Sequence, residues 1–306
     1  MTPQTLRSQS DRRKRLWTSL ELVKTAADYL TEKGIEGARL DAELLLAHVL
    51  SCERVALYTH FDKPLEPGEV DAYREFVRRR TEHVPTKYLL GTCEFASLEF
   101  DVNPSVLIPR PETEFVVSAA LELVDGLPEP VLIDVGTGAG NIAVALAMTL
   151  PSGRVFASDI SSDALATAQR NVARHGLEAR VTLLHGDLLD PHDPSLPADV
   201  IVSNPPYVAR KEFEALQPEI RLHEPEIALV GGEDGLDVYR RLADTCGAHL
   251  KQDGFLVLEI GQGQREAVEA ILCGGGRLDI EKIVNDYSDI ERVVIAKHRT
   301  NGTGAP

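Results

Sequence analysis

Four consecutive residues, Asn204-Pro205-Pro206-Tyr207, combine groups that could bind a planar amino group. They follow the apolar run 198–203, which predicts a buried strand ending at this corner. Both prolines lack a backbone N–H and fix φ at about −65°, so the turn is rigid and its carbonyls have few local donors. The asparagine adds an amide oxygen and the tyrosine adds a flat ring. The segment could therefore accept hydrogen bonds from both hydrogens of an NH2 group while the ring stacks on the plane of that group. Taken alone, an ordinary turn after a strand explains the same residues.

A second segment that could bind a ligand is the glycine-rich turn at residues 136–140. The buried-strand pattern of residues 131–135 runs into it, and residues 141–150 then follow a helical pattern. Glycine lets backbone N–H groups approach a ligand without interference from a Cβ atom. We therefore expect cofactor contacts from Gly136, Thr137, Gly138, Ala139 and Gly140. The GxGxG spacing differs from the GxGxxG that binds a pyrophosphate, which disfavours a dehydrogenase that uses NAD.

Two further predicted strands also end in acidic residues. Strand 154–160 ends near Asp159, where a carboxylate can accept two hydrogen bonds from a ribose diol. Strand 180–186 is followed by Asp187, which can accept from an adenine amino group, and by Leu188, which can pack on the ring. A surface acid or a helix cap explains each residue separately. Because parallel strands bring their carboxyl ends to one edge of a sheet, these residues together predict a nucleoside site.

In this order of strands and strand-end residues the chain resembles the class I S-adenosylmethionine-dependent methyltransferases. The NPPY segment resembles the subset of that class that methylates planar NH2 nitrogens. The resemblance implies an α/β fold: a Rossmann-like class I methyltransferase domain with a seven-stranded mixed sheet whose last strand is antiparallel. It also implies S-adenosyl-L-methionine as cofactor, with Asn204 among the cofactor-binding residues. The remaining strands are expected at 254–260, 278–285 and 292–297.

Changes in pattern along the chain predict its domain organisation. We expect an N-terminal helical substrate-recognition domain at 1–86, a β-hairpin linker at 87–104, the methyltransferase domain at 105–298 and a disordered tail at 299–306. A capping box of Thr18 and Glu21 would begin the first helix. A purely stabilising role explains the helical domain as well as partner binding does. Residues 208–235 have little periodicity, which predicts a long loop that is functional or disordered.

Composition restricts the class of protein and its partners. The chain has 306 residues, of which 43% are hydrophobic and 26% charged, as in soluble globular proteins. Residues 1–86 hold 14 basic and 14 acidic residues, so the remaining 18 and 34 account for the net charge of −16. Such acidity opposes direct nucleic-acid binding. The sequence contains no long apolar run, no CxxC and no HExxH. We therefore expect a cytoplasmic protein that needs no metal and does not bind a membrane. We also expect a monomer, although these patterns do not bear on the oligomeric state.

The segment Ile108-Pro-Arg-Pro-Glu-Thr-Glu114 has two interpretations. Acidic residues suit the first turn of a helix, which alone explains Glu112 and Glu114. Alternatively, Arg110 and the two acids line the mouth of the active cleft.

The whole set of motifs resembles the peptide chain release factor glutamine methyltransferases. The motifs are IPRPETE at 108–114, DVGTGAG at 134–140, SNPPY at 203–207, Glu224-Pro225 with GGEDGL at 231–236, and LEIG at 258–261. That family methylates the side-chain nitrogen (N5) of the glutamine in the GGQ motif of bacterial-type release factors. The resemblance implies that the chain binds this substrate through Asn204, Pro205, Pro206, Tyr207, Arg110, Glu112 and Glu224. One departure is Leu188, where some relatives have an aromatic residue.

The chemistry of a carboxamide explains why such a corner would be needed. The nitrogen is a poor nucleophile because its lone pair is delocalised into the carbonyl. Our hypothesis is that the Asn204 side chain and the Pro205 carbonyl accept the two amide hydrogens while Tyr207 packs on the amide plane. These three residues are the candidate catalytic residues, and no strong base is required early in the reaction.

Three other functions remain open from the sequence. A ribosomal-protein glutamine methyltransferase shares NPPY, although its arginine motif typically continues differently. A DNA adenine methyltransferase uses a similar corner on a flipped-out base, but the acidic catalytic half disfavours it. A catalytically silent scaffold is disfavoured by the intact glycines, Asp159 and Asn204.

Overall fold

A computed structural model describes residues 17–299 of the chain. It divides into two compact units, Met1–Leu90 and Gly91–Pro306. The hairpin that we predicted as a linker at 87–104 therefore falls in the second unit. Residues 1–16 lie outside the described residues, as does all of the predicted tail after Arg299.

The first unit is built from helices. They are α1 Ser19–Glu32, α2 Ala38–Val49, α3 Ala56–Thr59, α4 Pro67–Thr81 and α5 Thr86–Leu90. The predicted capping box of Thr18 and Glu21 begins α1. The three long helices, α1, α2 and α4, confirm the predicted helical character of this region, and their apolar faces share one core. Helices α3 and α5 were not predicted because each is too short to show a helical period.

The second unit alternates strands and helices. Its strands are β1 Thr92–Phe95, β2 Leu98–Asp101, β3 Val131–Val135, β4 Arg154–Asp159, β5 Val181–His185, β6 Ala198–Ser203, β7 Leu250–Glu259, β8 Leu278–Asn285 and β9 Glu291–His298. Its helices are α6 Glu114–Leu123, α7 Asn141–Thr149, α8 Ser162–Arg174, α9 Arg210–Phe213, α10 Pro218–His223, α11 Asp237–Thr245 and α12 Arg265–Gly274. A short 3₁₀ turn, Pro111–Thr113, precedes α6. Strands β1 and β2 form the predicted hairpin.

The other seven strands form one sheet in the order β5-β4-β3-β6-β7-β9-β8. The pairs from β5 to β7 are parallel, and β9 is antiparallel to both of its neighbours. The predicted seven-stranded mixed sheet with an antiparallel last strand is therefore confirmed. From β3 the chain passes outward to β4 and β5, and it then returns to β6 on the other side of β3. In such sheets ligands bind at the carboxyl ends of the strands beside this reversal.

The segment 208–235 is more regular than predicted. It contains α9, α10 and a 3₁₀ turn, Glu226–Ala228, and a β-bridge joins Val208 to Val230. The prediction of a long irregular loop is therefore wrong in part, because elements of three to six residues leave no periodic pattern. Helix α12 was also not predicted. Across residues 17–299, no helix is both long enough and apolar enough to cross a membrane.

Asn171 ties the hairpin to the glycine turn. Its fully buried side chain accepts a hydrogen bond from the Asp101 N–H (2.7 Å) and donates to the carbonyls of Asp101 (3.0 Å) and Ala139 (2.8 Å). Three backbone groups depend on this amide, because buried polar groups without partners are costly.

We predict that Asn171→Ala lowers the free energy of unfolding by about 2 to 4 kcal/mol, since it leaves these groups unpaired. Thermal or urea unfolding followed by circular dichroism measures the change. Asn285→Ala is the matched control, because that exposed side chain bonds only to Asp289. Equal stability of the two variants would contradict the role assigned to Asn171.

Candidate active site

A cavity of about 350 Å³ lies at the carboxyl ends of β3, β4, β5 and β6. The sequence-predicted residues that line it are Gly136, Thr137, Gly138, Ala139, Asp159, Asp187, Leu188, Asn204, Pro206 and Arg110. The structure thus brings together residues from four consecutive strand ends. Gly140 does not line the cavity. A Cβ atom there would lie 3.2 Å from the Cβ of Ala168, so this glycine allows close packing of α7 on α8.

Two glycines of the turn, Gly136 and Gly138, shape the cavity because they lack side chains. Gly136 and Gly138 have φ values of 73° and 54°, and a Cβ atom on either would meet no protein atom within 4 Å. The N–H groups of Gly136 and Thr137 donate to the Ser158 carbonyl, and the Gly138 N–H donates to Asp159. These three N–H groups are therefore used within the protein, contrary to the expectation that they face a ligand. The open space beside the two glycines is what suits a cofactor.

Asp159 is held rigidly at the end of β4. Its Oδ2 accepts from the Gly138 N–H and its Oδ1 from the Ser161 N–H, both at 2.9 Å. Burial raises the pKa of this carboxyl, whereas the backbone hydrogen bonds act in the opposite direction. The Ile160 N–H also bonds this carboxylate, and because a carboxylate has about four acceptor positions, one remains for a hydroxyl of a diol.

At the end of β5, Asp187 has a partner that the sequence did not reveal. Its Oδ2 accepts a hydrogen bond of 2.7 Å from Nη2 of Arg241, which lies on α11 and also lines the cavity. Leu188 has a φ of 48°, which is uncommon for a residue with a side chain. Its carbonyl accepts from the Ser158 hydroxyl at 2.8 Å, which helps to fix this conformation. No sequence pattern could have paired residues 54 positions apart.

A second, smaller cavity of about 160 Å³ adjoins the first. Its lining is mainly apolar and consists of Leu107, Arg110, Asn204, Pro205, Tyr207, Val208, Leu216, Ile220, Ala228 and Leu229. Asn204 and Arg110 line both cavities. Pro205 and Tyr207 line only the smaller one, whereas Pro206 lines only the larger one. The NPPY corner therefore forms part of the wall between two spaces.

Within the part of the chain that the structure describes, Asn204 Oδ1 and the Pro205 carbonyl are among the oxygens of this corner that accept no hydrogen bond. The Asn204 amide donates through Nδ2 to Oγ1 of Thr113 at 2.9 Å, which leaves its Oδ1 free. Across residues 17–299, neither this oxygen nor the Pro205 carbonyl accepts a hydrogen bond, whereas the Tyr207 carbonyl accepts one from Gln264 at 2.9 Å. An NH2 group needs two such acceptors.

The GGEDGL segment holds this corner in place by close backbone contact. A Cβ atom on Gly231 would lie 2.3 Å from the Pro206 carbonyl oxygen, and one on Gly235 would lie 2.3 Å from that of Tyr207. The Val208 N–H donates to the Leu229 carbonyl at 2.8 Å. Only glycine permits this approach, so the segment acts as a support for the corner.

The three charged residues predicted to bind substrate are placed differently from one another. Arg110 lies on the wall of both cavities. Glu224 is buried and lines neither cavity; it accepts hydrogen bonds from Arg110 and from the Ile108 N–H (3.2 Å). Its neighbour Pro225 lines the larger cavity. Glu112 lies outside both cavity linings. These positions support Arg110 as a substrate contact and Glu224 as the residue that holds Arg110 in place.

Sequence reasoning missed two residues that support the corner: Thr113, which also lines the larger cavity, and the buried Glu259. The Thr113 hydroxyl donates to Oε2 of Glu259 at 2.6 Å, and the Tyr207 hydroxyl lies 3.5 Å from Oε1. Burial raises the pKa of Glu259 to about 7. The pKa of Tyr207 is raised to about 12, mainly by burial and secondly by the negative charge of Glu259. Both missed residues stand inside recognised motifs, IPRPETE and LEIG, which is the signal that could have found them.

Comparison with known proteins gives consistent relationships. Residues 21–91 match the PrmC N-terminal domain, and residues 116–221 match the methyltransferase small domain. The release factor glutamine methyltransferase of Geobacter sulfurreducens is 46% identical over 279 residues, which cover 91% of this chain and 96% of that protein. The corresponding protein of Rhodopirellula baltica is 44% identical over 282 residues, covering 91% and 95%.

Among solved structures, the catalytic domain of hMettl16 in complex with the MAT2A 3′UTR hairpin 6 has a TM-score of 0.53 and 17% identity. The match covers 68% of this chain and 77% of that one. At this identity the likeness is one of fold alone.

We predict that Gly138→Ala weakens binding of S-adenosylmethionine, the cofactor that the sequence implies, about tenfold or more, because the new methyl group would enter the cavity. Gly176→Ala is the matched control. Gly176 also has a positive φ (66°) and open space around a Cβ atom, but it does not line the cavity. Calorimetric titration measures both affinities. An equal loss in both variants would show that backbone strain, rather than cavity filling, is responsible.

Proposed function

This chain belongs to the release factor glutamine methyltransferase family, and we propose that it binds S-adenosylmethionine in the larger cavity and a glutamine side chain in the smaller one. The enzyme methylates the side-chain nitrogen (N5) of the glutamine in the GGQ motif of peptide chain release factors. The observation that carries the residue-level proposal is that Asn204 lines both cavities. A group held at Asn204 is adjacent to the space assigned to the methyl donor.

The residues around the larger cavity fit this cofactor. The carboxylate of Asp159 would accept a hydrogen bond from the ribose diol, while Asp187 and Leu188 would contact the adenine. The open space beside Gly136 and Gly138 would accommodate the remainder. When bound, S-adenosylmethionine supplies an electrophilic methyl group on a sulfonium.

The NPPY corner would orient the amide that receives the methyl group. Asn204 Oδ1 and the Pro205 carbonyl would each accept one amide hydrogen, and Tyr207 would pack on the amide plane. These contacts turn the nitrogen lone pair away from the two acceptors and stabilise positive charge as it develops on nitrogen. The raised pKa of Tyr207 keeps this residue neutral, so it acts through its ring and its hydrogen bond rather than as a base.

Arg110 would bind the substrate at the entrance to both cavities. Its guanidinium is held by the buried Glu224 carboxylate, and the remaining donors of the guanidinium fork can reach carbonyl oxygens of a bound peptide. Glu224 then acts through Arg110 and does not itself contact the substrate. We assign no contact to Glu112, because it lines neither cavity.

The N-terminal unit matches the PrmC N-terminal domain over residues 21–91. We propose that this unit binds the release factor outside the GGQ motif, and that the enzyme acts in the cytoplasm as a monomer. Neither DNA nor RNA is needed as a substrate.

A methylation assay tests the substrate. The purified enzyme, with a radiolabelled methyl donor, should label a bacterial release factor but not the same factor with the GGQ glutamine replaced by asparagine. Duplex DNA and ribosomal protein are incubated in parallel and should remain unlabelled. Label in the replaced factor, or in DNA alone, would contradict the proposal.

We predict that Asn204→Ala lowers kcat by about 10² to 10³, the loss that follows removal of one well-placed group that stabilises developing charge. Affinity for S-adenosylmethionine should change far less, because the other strand ends remain intact. Steady-state kinetics and calorimetry measure the two quantities. Asn285→Ala, at an exposed position outside both cavities, is the control. Unchanged turnover in Asn204→Ala would remove the role assigned to this residue.

A further inference from the structure

Three side chains form a hydrogen-bonded chain behind the NPPY corner. The Thr113 hydroxyl donates to Glu259 at 2.6 Å, and the Asn204 Nδ2 donates to the oxygen of that hydroxyl at 2.9 Å. A hydroxyl carries one proton, so donation to the carboxylate obliges Thr113 to act as an acceptor toward Asn204. The direction of each hydrogen bond is therefore determined by the carboxylate at the far end.

We propose that Thr113 and Glu259 are positioning residues that fix the Asn204 amide with its oxygen toward the smaller cavity. The inference rests on the proposed function, because it concerns how Asn204 presents an acceptor to the glutamine amide. An amide with its ends exchanged would direct NH2 at the substrate NH2 group, and two donors would then face each other.

Burial makes this arrangement effective. Thr113 and Glu259 are 2% and 1% exposed, so water does not compete for their hydrogen bonds. The Tyr239 hydroxyl donates to the Glu259 carbonyl at 3.0 Å and helps to fix the end of β7. The other Glu259 oxygen faces the Tyr207 hydroxyl. A single carboxylate thus faces Tyr207 directly and reaches Asn204 through Thr113, and these are the two side chains assigned to the substrate amide.

The charges around Glu259 make the chain sensitive to protonation. The positive charge of Arg292 on β9 favours the carboxylate form of Glu259, and the negative charge of Glu112 disfavours it. Arg292 also pairs with Asp286 at 3.0 Å. Tyr207 and Tyr239 face it as neutral groups, because burial raises the pKa of each. Burial is the largest influence on Glu259 and raises its pKa to about 7.

Protonation would reverse the hydrogen bonds. Neutral Glu259 donates its proton toward the Thr113 oxygen, and the Thr113 hydroxyl then donates toward Asn204, which favours the amide oxygen on that side. Because the folded-state pKa lies above the ordinary value for glutamate, the carboxylate form is lost as the pH falls through neutrality. Turnover should therefore fall on the acidic side of this pKa.

The first experiment compares Thr113→Val, which keeps the shape and removes the hydroxyl, with Thr113→Ser, which keeps the hydroxyl. We expect kcat to fall about tenfold to a hundredfold in the valine variant, with S-adenosylmethionine affinity nearly unchanged, and the serine variant to recover most of the activity. Thr149→Val is the control, because it removes a hydroxyl bonded only to the Ala145 carbonyl, outside both cavities. Equal kcat in the valine variant and the wild type, or equal loss in the serine and valine variants, would overturn the proposal.

The second experiment records kcat against pH for the wild type, Thr113→Val and Glu259→Gln with the same release factor. The wild type should lose activity on the acidic side, and this loss should be absent in both variants, because the carboxyl group or its link to Asn204 has been removed. If Glu259→Gln lost activity at acidic pH in the same way as the wild type, the proposal would be overturned. This comparison does not require Thr113→Val, so it tests the proposal even if the valine variant does not fold. Failure of the wild type to methylate the release factor would instead contradict the proposed function.

Discussion

The proposed site depends on one constraint, which is that Asn204 Oδ1 and the Pro205 carbonyl accept no hydrogen bond from any of residues 17–299. Two consecutive prolines remove local donors, and the corner cannot relax because glycines of the GGEDGL segment press against its backbone. Oxygens left without partners in a partly buried site are unfavourable unless a ligand satisfies them. The rigid corner therefore keeps these oxygens unpaired at a cost in free energy. Hydrogen bonds from a planar NH2 group would offset that cost.

The fold explains why this corner lies beside a nucleoside-sized cavity. Strands β3 and β6 are neighbours in the sheet although two strands separate them in the sequence, so the glycine turn and the NPPY corner emerge side by side. Asp159 and Asp187 lie at the carboxyl ends of the next two strands, β4 and β5, along the same edge of the sheet. The order of strands thus determines which chemical groups become adjacent, and local sequence determines what those groups are.

Much of this arrangement could be predicted from the sequence, because strand ends and glycine turns leave local patterns. The individual strands and the long helices follow from periodicity, and the strand-end residues follow from the parallel order. The seven-stranded mixed sheet was expected only from the resemblance to the class I methyltransferases. The sequence did not reveal pairs that form only in the folded chain, such as Asp187 with Arg241 or Thr113 with Glu259. It also misjudged the glycine N–H groups, whose internal hydrogen bonds depend on the neighbouring strand β4.

Residues that hold others in position explain why the recognised motifs are longer than the set of residues that line the cavities. Glu224 holds Arg110, Glu259 holds Thr113, and Gly231 permits the backbone contact that supports Pro206, and none of these three supports lines either cavity. Each of these pairs joins two different motifs across the sheet edge. A reaction that relies on placed oxygens rather than on a strong base needs such supports, because a displacement of about 1 Å in an acceptor removes much of its effect. The motifs are therefore best understood as one hydrogen-bonded assembly whose few exposed atoms form the proposed substrate site.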